Sequence, residues 1–415
     1  MSLIKADLII KKCSQVLTCK EDSRDLVGLI NNGWIAIDGQ VIVAIGTKEE
    51  IENKVDYKYA KIIDGTGKVV APGFVDCHTH LVFGGSRVKE YVARLTSDNL
   101  DVLLEKGIKT GLDASIEMTK ETQEDVLVIE SLKKLDRMLA SGTTTIEIKS
   151  GYGIDLDTEL KQLRVNRRLN NLSPIDICST FLGAHYWPKM MGKKKYIDFM
   201  ISKVMPEVME YKLADFCDVW CDEGYYTAKE SERVLKAGLD YGMTPKIHTD
   251  CYSYIGGSDL AADMKMSSAD HLNFTPRSAI KKLAAQRIAG VLVPGTDFCL
   301  QHSKPFNPRP MIEEGMIIAL ATNLNPGNWI ESMQFSMGLA ARLHAMSPEE
   351  VIRAATLGAA YALNLEADRG SLEEGKLADI QIWDTPIYQD IVYKLGGNLV
   401  EQVIKRGKVV IDNRK

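Results

Sequence analysis

The sequence predicts an α/β fold: a (β/α)8 TIM barrel with a small β-sandwich attached, the sandwich being built from both chain termini. Three observations predict it. Eight strand-like segments alternate with amphipathic helical ones through residues 69–367, β-branched runs occupy both ends, and five of the seven histidines close strand-like segments. The expected boundaries are a discontinuous sandwich over 1–68 and 368–415, enclosing a barrel over 69–367.

In chain order, "ADLIIKKCSQVLTC", "GWIAIDGQVIVAIG" and "AKIIDGTGKVVAPG" are β-branched runs broken by Gly, Asn and Asp, and read as short antiparallel strands joined by turns. The barrel strands follow as "GFVDCHTH", "GTTTIEIKSGYG", "DICSTFLGAH", "FCDVWCDEG", "TPKIHTD", "SADHLNF", "GVLVPGT" and "IIALATNLNPG". Between them lie amphipathic helices. "TQEDVLVIESLKKLDRMLASG" is expected to begin at Thr122 as N-cap and to stop before Gly142. After the eighth strand, Ser347 and Glu350 stand at capping-box spacing with Pro348 at the first helical position. The terminal texture returns in "GKLADIQIWD" and "LVEQVIKRGKVVIDN". A doubly wound sheet would share the alternation, but it needs a Gly-rich phosphate turn after the first strand, and none follows here.

Composition narrows the function. With 415 residues, 45% hydrophobic and 26% charged, the chain suits a globular protein with a large core. A net charge of −5 argues against nucleic acid and anionic membrane as partners. No apolar run approaches the ~20 residues of a membrane span, and "MSLIKADLIIKKC" lacks a signal-peptide core. The eight cysteines (13, 19, 77, 178, 217, 221, 251 and 299) are dispersed, the pattern of reduced thiols in a cytoplasmic protein. Cys217 and Cys221 share one face of the fourth strand without two further ligands nearby, and are read as core residues.

The histidines carry the chemistry. His78 and His80 end the first strand, His185 the third, His248 the fifth and His271 the sixth. In a barrel these C-terminal ends form one mouth. His78 and His80, two apart, point the same way on an extended strand and can grip one metal, with His248 as a third nitrogen from across the barrel. Three protein ligands and an open position make water a nucleophile near neutral pH. His302 and His344, on a loop and a helix, receive no role.

"PGFVDCHTHLVFGGSR", "EIKSGYGIDLDTELKQLRVNRRL", "STFLGAH", "LADFCDVWCDEG", "PKIHTD", "SADHL" and "LNPG" together resemble the imidazolonepropionase family of the amidohydrolase superfamily. The resemblance runs through nearly the whole chain, including "GSLEEGKLADIQIWD". It implies hydrolysis of the ring amide of 4-imidazolone-5-propanoate to N-formimino-glutamate in histidine breakdown, one zinc or iron ion, and a homodimer. It implies metal binding by His78, His80, His248 and position 323, and substrate contacts from Arg87, Tyr152, His185 and Cys251 and from Asn325, Gly327 and Asn328 of the "NPG" loop. Arg87 would fork onto the propionate carboxylate, a bidentate contact Lys cannot reproduce. Tyr152 and His185 would donate hydrogen bonds to substrate oxygens, and His271 would hold or protonate the oxygen that becomes charged. The fourth strand has no lysine to bridge two metals, so a single ion is expected, and Lys149 at the end of the second strand is read as structural.

The chain departs from the family pattern at three places. The family has Asp where Asn323 stands, Glu at Cys251 and Tyr at Leu100. Asn323 can still offer a carbonyl oxygen to a metal, but it cannot take a proton. Cys251 is read as a small buried replacement rather than a thiolate. Three accounts stay open at this point: an introduced Asn323, a natural one with His271 or Asp250 as base, or a divergent amidohydrolase or deaminase acting on another carboxylate-bearing heterocycle, extending to a ligand-binding homologue with weakened catalysis. A deaminase needs a glutamate near the end of strand five, and Cys251 counts against it.

Overall fold

The computed structural model describes residues 3–96 and 100–414. Its centre is a ring of eight parallel strands: β1 Phe74–Asp76, β2 Thr143–Lys149, β3 Asp176–Ala184, β4 Phe216–Cys221, β5 Ile247–Thr249, β6 Ser268–His271, β7 Ala289–Leu292 and β8 Ile318–Leu320. Each pairs with the next in sequence order. Helices fill the connections, which is what parallel neighbours require.

No ladder joins β8 to β1, and the seam is tied just past the strand ends. Asp76 accepts from the backbone N and the hydroxyl of Thr322 at 3.1 and 2.6 Å. Asn323 N donates to the His78 carbonyl at 3.1 Å, and His80 N to the Leu324 carbonyl at 2.8 Å. The closure that completes the barrel therefore also holds Asn323 against the His-x-His segment.

Alternation along the strands sorts polar from apolar. In β2, Ile146 and Ile148 join the apolar cluster that includes Leu135 and Leu163 of the surrounding helices, while Glu147 and Lys149 lie on the opposite face. In β4, Cys217, Val219 and Cys221 join the same cluster, as core residues, and Asp218 and Trp220 take the other face.

Both termini contribute to one eight-stranded sheet: Leu8–Leu17, Leu29–Asp38, Val41–Gly46, Lys61–Asp64, Val69–Pro72, Ile380–Trp383, Val400–Lys405 and Lys408–Asp412. Two of its strands correct the sequence expectation. Lys61–Asp64 and Val69–Pro72 run parallel to Leu8–Leu17, because the helix Lys48–Lys54 carries the chain back as a crossover instead of a hairpin. Leu8–Leu17 serves both along one edge, and its pairing with Leu29–Asp38 along the other shifts register between Ile10 and Cys13, where Lys12 adopts φ +59°. Val69–Pro72 also pairs with Ile380–Trp383, so the terminal sheet reaches past position 68.

Asp176, at the start of β3, ties barrel to terminal sheet by accepting from Arg369, Lys405 and Arg406 at 2.5, 2.8 and 3.0 Å. The helix Glu124–Ala140 begins one residue later than expected, after Gln123. Thr122 ends the preceding helix, Gly111–Glu121, with its hydroxyl donating to Met118 O at 2.7 Å. The Ser347 capping box forms as the spacing predicts. All eight cysteines are free thiols, and among the described residues no helix is long and apolar enough to cross a membrane.

Candidate active site

The five strand-end histidines converge at one mouth of the barrel. One nitrogen each of His78, His80 and His248 lies within 4.8 Å of the others, all three side chains buried. His80 Nε2 and His248 Nε2 are 3.4 Å apart. The His271 ring centroid stands 5.4 Å from that of His78 and 5.3 Å from that of His248, and the His185 ring stacks on His80 at 5.1 Å.

Two of these positions require unusual backbone. Strict alternation in β6 would turn His271 away from Asp270, onto the face where Ala269 packs with the helices. A φ of +85° at His271 breaks the strand and swings the imidazole back into the mouth. Asn323 sits at φ +49°, a left-handed conformation that Asn tolerates better than most residues.

Carboxylates behind the histidines set their tautomers. Asp270 Oδ2 lies 2.6 Å from His78 Nδ1, and Asp218 Oδ2 lies 2.9 Å from His248 Nδ1. Each carboxylate accepts an Nδ1–H, which turns the Nε2 lone pair of its histidine inward. Burial first, then neighbouring cations and imidazoles, pull His78, His80 and His271 well below the ordinary histidine range, which favours neutral rings with a free lone pair. Burial would raise Asp218, but His248 and Lys149 beside it hold its carboxyl well below the usual range.

The donor set fits a metal ion. His78 Nε2 and Asn323 Oδ1 are buried without a hydrogen-bond partner, an arrangement costly for a polar atom unless something is bound there. Asn323 Nδ2 donates to Thr296 Oγ1 at 2.7 Å, leaving the amide oxygen free. His78, His80, His248 and the Asn323 oxygen could hold one ion between them.

The remaining predicted residues make contacts of their own. Arg87 does not hold its fork open: Nε and Nη2 both bond Glu90, at 2.7 and 2.6 Å. Its Nη1 lies against Gly327, where an added Cβ would meet it at 3.4 Å. Tyr152 is buried 5.8 Å from the His80 ring, and burial holds its hydroxyl protonated, as a donor. His185 departs from its expected role. Its Nδ1–H donates to the Gly151 carbonyl at 3.2 Å and burial draws its pKa down to about 3, so Nε2 is an acceptor, not a donor. Asn325 and Asn328 use their side chains on the loop itself: Asn325 Oδ1 accepts from Gly327 N and Asn328 N at 2.7 and 3.1 Å, and Asn328 Nδ2 donates to Thr322 O at 3.2 Å. Cys251 is buried and burial raises its thiol, so it is uncharged. Asp250 accepts from the Thr249 and Thr275 hydroxyls at 2.9 and 2.7 Å. The side chain of Leu100 lies outside the described residues.

Sequence reasoning assigned no role to Asp218, Asp270 or Thr296. The signal for the two aspartates was present. A carboxylate inside a buried strand is tolerated only when paired, although the sequence does not say with what.

A family model described as the amidohydrolase family matches residues 208–410. Imidazolonepropionases from Alkaliphilus metalliredigens and Clostridium tetani are each 41% identical to this chain, covering 98% of it and 98% of themselves. That of Geobacillus kaustophilus is 40% identical, covering 98% of this chain and 99% of its own. Among solved structures, a zinc-bound adenosine deaminase from Xanthomonas campestris superposes with a TM-score of 0.73 at 18% identity, over 100% of this chain and 94% of that one. A mutant atrazine chlorohydrolase from Arthrobacter aurescens TC1, complexed with zinc and atraton, gives 0.67 at 19% identity, over 98% and 95%. At those identities the structural likeness speaks for the fold alone.

Proposed function

We infer, from the premise that this chain belongs to the imidazolonepropionase family, that its barrel mouth hydrolyses the ring amide of 4-imidazolone-5-propanoate to N-formimino-glutamate. The observation that carries the reading is the meeting of His78, His80 and His248 nitrogens within 4.8 Å of one another. One zinc or iron ion held by these nitrogens and the Asn323 oxygen would act as a Lewis acid at the ring carbonyl and ease proton loss from the attacking water.

The chain's own residues supply the rest. Arg87 exchanges part of its pairing with Glu90 for the substrate carboxylate, beside Gly327 in the loop that Asn325 and Asn328 shape. Tyr152 donates to a substrate oxygen, and His185 Nε2 accepts a ring N–H. Asn323 cannot take the water's proton. His271, neutral and with a buried unpartnered Nδ1, takes it and returns it to the ring nitrogen as the C–N bond breaks. The Cys251 thiol is buried and carries no charge.

The proposed assembly is a homodimer, tested by sedimentation equilibrium at twice the chain mass, and the proposed compartment is the cytoplasm, in keeping with eight free thiols. The reaction is tested by adding imidazolonepropionate to metal-reconstituted and to chelator-treated protein. Ring opening in the first and its loss in the second are expected. No ring opening in either would sink the assignment.

A further inference from the structure

Lys149 ends β2 fully buried, and the sequence marks it only as structural. Its Nζ lies 2.6 Å from Glu147 Oε1, 2.7 Å from Asp218 Oδ2 and 3.7 Å from Asp270 Oδ2. The last two are the same oxygens that bond His248 Nδ1 and His78 Nδ1, at 2.9 and 2.6 Å. One ammonium thus bonds the Asp218 carboxylate and stands within ion-pair distance of that of Asp270, the two that orient two of the three candidate ligands. Asp218, His248 and Asp270 also place ligand atoms within 4.8 Å of one another, a donor set of the kind that attracts a cation, and Lys149 already supplies one there.

We propose that Lys149 is a positioning residue, a built-in cation that turns Asp218 and Asp270 toward His248 and His78 and so fixes both imidazoles with Nε2 open to the metal. Burial works against the ammonium, but the carboxylates of Asp218, Glu147 and Asp270 outweigh it and keep it charged. A neutral side chain at 149 would take the charge partner from Asp218 Oδ2 and Asp270 Oδ2 and loosen the carboxylates that orient His248 and His78, leaving Lys246, 3.6 Å from Glu147, as the other buried ammonium nearby. Removal of such an outer partner costs about 10–100-fold in metal affinity.

The inference rests on the reading that His78, His80 and His248 hold one ion, and the experiment separates the two. Zinc binding to the full chain is measured by competition with a chelator for wild type, Lys149→Met and Lys149→Ala. A wild type that binds no zinc overturns the metal reading itself. With wild type binding, Lys149→Met, which keeps the side-chain length and drops the charge, is expected to lose at least tenfold in affinity while retaining its circular dichroism spectrum. Propylammonium is expected to restore affinity to Lys149→Ala, and 1-propanol, of the same shape but uncharged, is not. Affinity of Lys149→Met within twofold of wild type, or equal rescue by the alcohol, overturns the proposal, because a merely space-filling role would give those results.

Discussion

Replacing Asn323 with Asp puts a carboxylate at the proposed metal site, where it could take the attacking water's proton. The change is nearly isosteric. The backbone at φ +49° suits Asp as it suits Asn, and the Thr296 hydroxyl, which accepts from Asn323 Nδ2 at 2.7 Å, can rotate to donate to the new oxygen. The geometry should therefore persist, and the effect should be chemical. A positioned general base contributes about 10²–10⁴ in rate, or ~3–5 kcal/mol of barrier at 1.36 kcal/mol per factor of ten. With His271 proposed as the base of the native chain, the gain should fall at the lower end of that range, about 10²-fold in kcat with KM little changed. The variant should also bear a cost. In metal-free protein the new carboxylate is buried beside neutral imidazoles with no cation, so the apo form should unfold at lower temperature than wild type and regain the difference when metal is added. The assay is steady-state turnover of imidazolonepropionate by protein carrying one metal equivalent, alongside thermal unfolding with and without metal. An unchanged or lower kcat at equal metal content would refute the reasoning and show that position 323 takes no part in proton removal.

Other perturbations test other parts of the site. His271→Gln should lower kcat by about 10²–10⁴ while leaving zinc content intact; a variant that turns over normally removes His271 from the reaction. Arg87→Met should raise KM, with kcat/KM falling about 10–150-fold, the loss of a charged hydrogen bond of ~1.5–3 kcal/mol; the same loss with a substrate analogue lacking the propionate would show that the contact lies elsewhere. Asp176→Asn should loosen the terminal sheet from the barrel by about 2 kcal/mol in urea unfolding, after discounting for partial exposure. Burial alone would raise Asp176, but Lys405, Arg369 and Arg406 hold its carboxyl below the ordinary value. A folded value below the unfolded one means the stabilisation is present above pH ~4 and is lost as pH falls through the folded pKa. The deficit of the Asn variant should therefore shrink in acid, and a deficit that stays constant or grows would contradict the pairing.

Much of this was readable from local pattern. The alternation of strand-like with helical segments and the strand-end histidines predict the barrel and the convergence of His78, His80 and His248, because a closed parallel barrel leaves few alternative places for those residues. The pairing of Arg87 with Glu90 was also legible, as an i,i+3 spacing at the start of a helix. What stayed hidden depends on distant partners or on single torsions. Nothing local shows that Lys149, Asp218 and Asp270, on the second, fourth and sixth strands, share one interior network. The direction of Lys61–Asp64 turns on whether "KEEIENK" forms a crossover helix, and Lys48–Lys54, seven residues long, gives a weak signal of its own. His271 was placed at the correct strand end, yet its orientation rests on one left-handed φ that alternation contradicts. The role of His185 reversed because its Nδ1–H is taken by the Gly151 carbonyl, a contact between two different strand ends.

The most direct test is anomalous diffraction from crystals of metal-reconstituted protein, recorded on either side of the zinc or iron edge. A single peak bounded by His78, His80 and His248, with the Asn323 oxygen beside it, is the predicted result. A peak elsewhere in the molecule, or none at full metal loading, would contradict the account.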